Sequence, residues 1–198
     1  MASEPSQELR LFVACELPDE VRRALGRVQD DMRRLGAERL RWVRPESIHV
    51  TLKFLGGVES SRVEAITAAL ESAVEAFELR LRLASVGSFG GARMRVVWVG
   101  LDGDVEGLAA LAGRVEAALQ PLGFPPERRP FAAHLTLARV PDQVPPAERR
   151  QLASLVERYE PPPPPSMTFM EVNLIQSQLG RGGSVYTRLA TFPAPLTA

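Results

Sequence analysis

Hydrophobic and polar positions change their period repeatedly along this chain. Leu9 to Leu17 is an apolar run that predicts a first strand ending at Pro18. Pro18 with Asp19 and Glu20 then opens a helix to about Leu35, stopped by Gly36. A short extended piece, Leu40 to Val43, leads through Pro45 to a strand from Ile48 to Leu55, which Gly56 and Gly57 should end. Apolar residues at Val63, Ile66, Leu70, Val74 and Phe77 give Glu59 to Phe77 a helical spacing. Leu79 to Leu83 alternates strictly and predicts a strand, turned at Gly87 to Gly91 into a second one from Arg93 to Leu101.

The remainder repeats the theme. Asp104 to Leu119 has helical spacing, Pro125, Pro126 and Pro130 stiffen an approach, and His134 to Val140 reads as a strand. Pro145 to Tyr159 reads as a helix, and Pro161 to Pro165 as an extended polyproline spacer. Met167 to Gln178 and Val185 to Phe192 read as two strands joined by the turn Gly180 to Gly183. Strands and helices in this order describe an α+β fold with mostly antiparallel pairing. The repeated order of elements suggests two pseudo-symmetric lobes, interleaved in one bilobal domain over residues 1–198, with outer helices and a central cleft.

The only two histidines occupy two copies of one phrase, His49-Val50-Thr51-Leu52 and His134-Leu135-Thr136-Leu137. Residues two apart on a strand share a face, so each phrase presents an imidazole and a hydroxyl together. Two imidazoles titrating near neutrality supply a general acid and a general base.

Composition narrows the choices. The 198 residues carry zero formal net charge and 45% hydrophobic side chains, the profile of a soluble globular protein rather than a generic polyanion binder. Lys53 is the only lysine; Arg41 and Arg44 are candidates for contact to a nucleic-acid backbone, with solvated surface the favoured reading. The single cysteine, Cys15, excludes an internal disulfide and reads as buried filling, and the scarcity of soft ligands argues against a metal site. No stretch has transmembrane length, and Met1 to Gln7 lacks the character of a signal peptide. A cytoplasmic monomer with no cofactor and no membrane contact is expected.

The two His-x-Thr-x phrases, the continuation Lys53-Phe54-Leu55-Gly56, the preceding Trp42-Val43-Arg44-Pro45-Glu46, and the closing region with Gly183 and Tyr186 together resemble the two-histidine phosphoesterases. Within them the resemblance is to the RNA 2′,3′-cyclic phosphodiesterases, also called 2′-5′ RNA ligases. It implies metal-free hydrolysis of a 2′,3′-cyclic phosphate on RNA ends or small nucleotides to a 2′-phosphate, and reversible 2′-5′ RNA ligation by the same chemistry. It also implies His49 as general acid, His134 as general base, and Thr51 and Thr136 as donors to phosphate. Arg139 would face phosphate and Phe54 would stack on a base. Both lie five residues after their histidine, so strict alternation would aim them away; each needs a bulge. Tyr186 and Arg181 would border the cleft, and Trp42 and Trp98 would pack in the core. Cyclic phosphates of the ADP-ribose type, 2′-5′ oligonucleotides, and a noncatalytic RNA-end-binding module stay open as alternatives.

Overall fold

The computed structural model describes residues 7–162, 165–180 and 183–193. The order is β1 (Glu8–Glu16), α1 (Asp19–Met32), β2 (Arg41–Trp42), β3 (His49–Glu59), α2 (Val63–Ala73), β4 (Leu79–Phe89), β5 (Val96–Gly103), α3 (Val105–Leu119), β6 (His134–Arg139), α4 (Pro146–Arg158), β7 (Ser166–Phe169), β8 (Val172–Gly180) and β9 (Gly183–Phe192). They build one sheet of four strands, β3-β1-β8-β9, and one of five, β2-β6-β5-β4-β7. All described pairings are antiparallel. One hydrophobic cluster runs through both sheets, from Leu11 and Val13 on β1 to Leu135 and Leu137 on β6. Val50, Leu52, Leu135 and Leu137 are the aliphatic halves of the two histidine phrases, and all four are buried. Each contributes about 1.5–3 kcal/mol by leaving water, and their burial holds the intervening His and Thr on the opposite face.

Several boundaries depart from the sequence pattern. The stretch Met167 to Gln178 is not one strand. It breaks at Met170 and Glu171, so that β7 joins the five-stranded sheet and β8 crosses to the centre of the other. The burial pattern registers this change: alternating along Ser166–Phe169, then continuous along Val172–Ile175, where strands lie on both sides, with Met170 60% exposed between them. β3 does not stop at Gly56-Gly57 but continues to Glu59 because Gly56 adopts φ 72° and lets the strand bend rather than end. The helix after it is correspondingly shorter. α1 gives way at Arg33–Ala37 to a wide turn around Gly36, at φ 110°. β4 runs on to Phe89, so the reversal falls at Gly90–Arg93. Pro163 and Pro164 of the proline run lie outside the described residues.

Both histidine strands carry the bulges that Phe54 and Arg139 require. Against β1, Val13 pairs with Lys53 and Ala14 with Thr51, which skips Leu52; Leu11 with Gly56 and Phe12 with Phe54 skips Leu55. Against β5, Val97 pairs with Ala138 and Trp98 with Thr136, which skips Leu137. The skipped residue reverses the alternation beyond it. Phe54 therefore returns to the face of His49 and Thr51, and Arg139 to the face of His134 and Thr136.

A buried polar side chain pins each bulge. Lys53, 3% exposed, donates from Nζ to Glu116 Oε1 at 2.8 Å and to the Pro125 carbonyl at 2.6 Å, on the approach to His134. Gln29, 1% exposed on α1, donates from Nε2 to the carbonyls of Val43 at 2.7 Å and Leu137 at 3.1 Å. The Leu137 carbonyl also accepts from the Val43 backbone N–H at 2.8 Å. Nothing in the sequence pattern marks Gln29, because one amide on an amphipathic helix looks like any solvated one.

Replacing Gln29 by Leu should lower the unfolding free energy by about 1–3 kcal/mol, since two buried carbonyls lose a donor. Urea unfolding at pH 7 measures this; an unchanged midpoint would mean that the bulge holds without it.

Candidate active site

Both histidines line a single cleft of about 730 Å³ between the sheets. His49, Thr51 and Phe54 come from β3, and His134, Thr136 and Arg139 from β6; Phe12, Ser177, Ser184 and Tyr186 add the wall from the four-stranded sheet. The structure thus gathers all six sequence-predicted site residues. A second groove, of about 680 Å³, runs past Leu35, Leu152 and Tyr159 near α4 and contains no imidazole.

The two imidazoles are held in the same way. His49 Nδ1 lies 2.9 Å from the Ser47 carbonyl and His134 Nδ1 lies 2.7 Å from the Ala132 carbonyl, in each case two residues upstream. A carbonyl only accepts, so each Nδ1 carries the proton and donates it. Each Nε2 is left to exchange a proton with a reacting group.

Their surroundings differ. His49 stacks on Phe12 at 4.6 Å and meets Tyr186 edge-on at 5.3 Å. Burial lowers its pKa to about 4, although the Ser47 carbonyl and Glu16 pull upward. His134 meets one aromatic ring among the described residues, that of Phe89, edge-on at 4.9 Å. The sequence missed Phe12 as a site residue. In an apolar run it reads as core, yet it belongs with Ala14 and Ile175 to a small separate cluster under Tyr186.

Phe54, 61% exposed, stands at the cleft as the bulge requires. Trp42 packs on the core and donates from Nε1 to the Ala37 carbonyl at 3.2 Å. Trp98, contrary to expectation, is outside the core clusters. It lies half-buried over Gly87, its ring 5.2 Å from that of Phe89, and a Cβ at Gly87 would come within 2.4 Å of it. Arg181 falls outside the described residues. Cys15 is buried, and desolvation followed by the nearby Glu171 charge pushes its thiol up to about 12, which makes it inert packing.

The described cleft lining includes Arg10, Arg41, Arg44 and Arg139 and no carboxylate. Among the described residues no group of three or more His, Cys, Asp or Glu is placed to hold a metal ion. A pair of imidazoles with free Nε2 atoms, two hydroxyls and an arginine-rich wall can bind an anion and move protons on both of its sides.

The family model of the 2′-5′ RNA ligase superfamily matches residues 17–181. An RNA 2′,3′-cyclic phosphodiesterase of Methanothermobacter thermautotrophicus is 30% identical over 187 residues, covering 93% of this chain and 98% of that one. Another, from Archaeoglobus fulgidus, is 32% identical over 185 residues, covering 93% and 99%. The crystal structure of Escherichia coli LigT complexed with 3′-AMP superposes with a TM-score of 0.74 at 26% identity, covering 96% of this chain and 99% of that one.

The lowered pKa of His49 links proton binding to folding. An unfolded histidine titrates near 6.5, so between about pH 6.5 and 4 the unfolded chain takes up a proton that folded His49 refuses. That contribution is neutral above pH 6.5 and destabilises increasingly as pH falls towards 4. Urea unfolding of wild type and His49→Gln at pH 7 and pH 4.5 should show wild type losing more stability on acidification. Equal losses would show that His49 is not held neutral by burial.

Proposed function

The chain belongs to the 2′-5′ RNA ligase superfamily, and from that premise we propose that it hydrolyses the 2′,3′-cyclic phosphate of RNA or nucleotide ends to a 2′-phosphate. The observation that carries this reading is the matched pair of imidazoles. Each is locked through Nδ1 to a carbonyl two residues upstream and turned into one cleft.

A cyclic phosphodiester needs a nucleophile activated on one side of phosphorus and a leaving oxygen protonated on the other. Water attacks phosphorus opposite O3′, giving its proton to His134 Nε2 as the new P–O bond forms. The P–O3′ bond breaks, and His49 Nε2 donates its proton to O3′, leaving the phosphate on O2′. Thr51 and Thr136 donate hydroxyl hydrogens to the non-bridging oxygens, where charge grows in the transition state. Arg139 faces phosphate of the RNA end and Phe54 stacks on the base. With a ribose 5′-hydroxyl in place of water, the same proton transfers join two strands through a 2′-5′ linkage. No step calls for a metal ion.

The assignment of His49 as acid has an electrostatic condition. In the free protein its pKa of about 4 leaves the ring neutral at pH 7. The anionic phosphate at Nε2 favours the imidazolium, so His49 becomes charged as the substrate binds. All six residues come from one chain. We extend the reading to a single bilobal domain that acts as a cytoplasmic monomer.

His49→Ala and His134→Ala should each lower kcat by about 10²–10⁴-fold while leaving the unfolding transition cooperative. The substrate is a short RNA ending in a 2′,3′-cyclic phosphate, assayed in EDTA, with the product phosphate located by ³¹P NMR. A 3′-phosphate product, or activity lost in EDTA and restored by metal, would overturn this mechanism. The pH profile offers a second check. kcat/KM, which reports the free enzyme, should show a limb near pH 4 that is absent in His49→Ala, and kcat should show it displaced upward.

A further inference from the structure

Arg41 and Arg139 are direct cross-strand partners. β2 is only two residues long, and it places Arg41 opposite Arg139 and Trp42 opposite Ala138. Arg139 is in turn opposite the apolar Val96 on its other side. Like charges directly opposite in an antiparallel pair destabilise it. A carboxylate would normally relieve them, yet among the described residues neither forms an ion pair. Both are exposed and both line the cleft. Arg82, by contrast, stands directly opposite a carboxylate, Asp102, across β4 and β5 and pairs with it. Arg41 and Arg139 thus make a cross-strand row of two arginines on the cleft, with no acid paired to either among the described residues.

The row has a definite place relative to the reacting centre. Thr136 and Arg139 share the cleft face because of the bulge at Leu137. They are two pleat positions apart, about 7 Å along the strand, which is comparable to the spacing of neighbouring phosphates in an extended nucleotide chain. A cyclic phosphate at His134 and Thr136 would thus leave the next phosphate of the strand level with Arg139 and Arg41. The guanidinium fork suits a phosphodiester oxygen pair, and two of them can share one anion.

We infer that Arg41, facing Arg139 across β2 and β6, forms a second phosphate subsite that takes the phosphodiester on the 5′ side of the terminal nucleotide. The substrate class is then an RNA end of two or more nucleotides in preference to a mononucleotide. This rests on the cyclic phosphodiesterase reading, and it names Arg41 as a specificity-determining residue rather than a catalytic one.

The test compares a nucleoside 2′,3′-cyclic phosphate with a dinucleotide ending in the same group, in wild type and Arg41→Gln. Wild type should favour the dinucleotide by about tenfold or more in kcat/KM at low salt, the difference lying in KM. In Arg41→Gln the ratio should fall towards one. The slope of log(kcat/KM) for the dinucleotide against log salt should become shallower by about 0.7, the value for one single-strand phosphate contact. Arg41→Lys should restore part of the preference. Calorimetric binding of the two corresponding 2′-phosphate products gives the same comparison without turnover. A dinucleotide preference of the same size in Arg41→Gln, or none in wild-type binding, would overturn the subsite. Failure of wild type to turn over either substrate while still binding the dinucleotide product more tightly would instead overturn the hydrolase reading and leave the subsite standing.

Discussion

A pleated strand sends successive side chains to opposite faces, and the site depends on breaking that rule just beyond the threonine of each histidine strand. Up to Thr51 and Thr136 the alternation is regular, with Val50, Leu52, Leu135 and Leu137 buried and the imidazoles and hydroxyls in the cleft. Beyond them the skipped Leu52 and Leu137 bring Phe54 and Arg139 onto the same face. Without the bulges the cleft would hold two imidazoles and two hydroxyls, while the aromatic and the cation pointed into the core. Burying an unpaired guanidinium costs several kcal/mol, so the bulge at Leu137 also makes Arg139 tolerable in the fold.

The two bulges are stabilised across elements rather than within their own strands. Lys53 reaches from β3 to Glu116 and to the Pro125 carbonyl, on the segment that leads to His134. Gln29 reaches from α1 to the carbonyl of Leu137 itself. The burial of these two polar side chains is compensated by hydrogen bonds that fix the relative position of the β3 and β6 faces. In-line proton transfer demands such a fixed relation, because small misplacements of a catalytic group are costly. The rigid sheets supply precision that two loops could not.

Electrostatics divides the cleft between a neutral imidazole and a cationic wall. Burial beside Phe12 and Tyr186 lowers the pKa of His49, while Arg10, Arg41, Arg44 and Arg139 line the same cleft with no carboxylate among the described lining residues. A chain of zero net charge can therefore present a locally positive cleft. Its carboxylates neutralise arginines elsewhere, as Asp30 does for Arg33 and Glu16 for Arg188. An anionic ligand is drawn to one place rather than to the whole surface.

The sequence by itself determined the pairing of an imidazole with a hydroxyl on each of two strands and the outline of the fold. Period-two alternation around His49 and His134 is a local property, and it placed each His and Thr on one face before any tertiary contact was known. The α+β order and most elements were legible for the same reason, since apolar periodicity is set by what each segment buries. Tertiary structure decided what depends on neighbours in space. The split between β7 and β8 turns on which sheet each strand joins, and the aim of Phe54 and Arg139 on which partner residue is skipped. Gln29 and Phe12 gained their importance from backbone carbonyls and an imidazole remote in sequence, and Arg41 from standing opposite Arg139. Alternation is encoded residue by residue, but register is a property of pairs, and pairs exist only once the chain has folded.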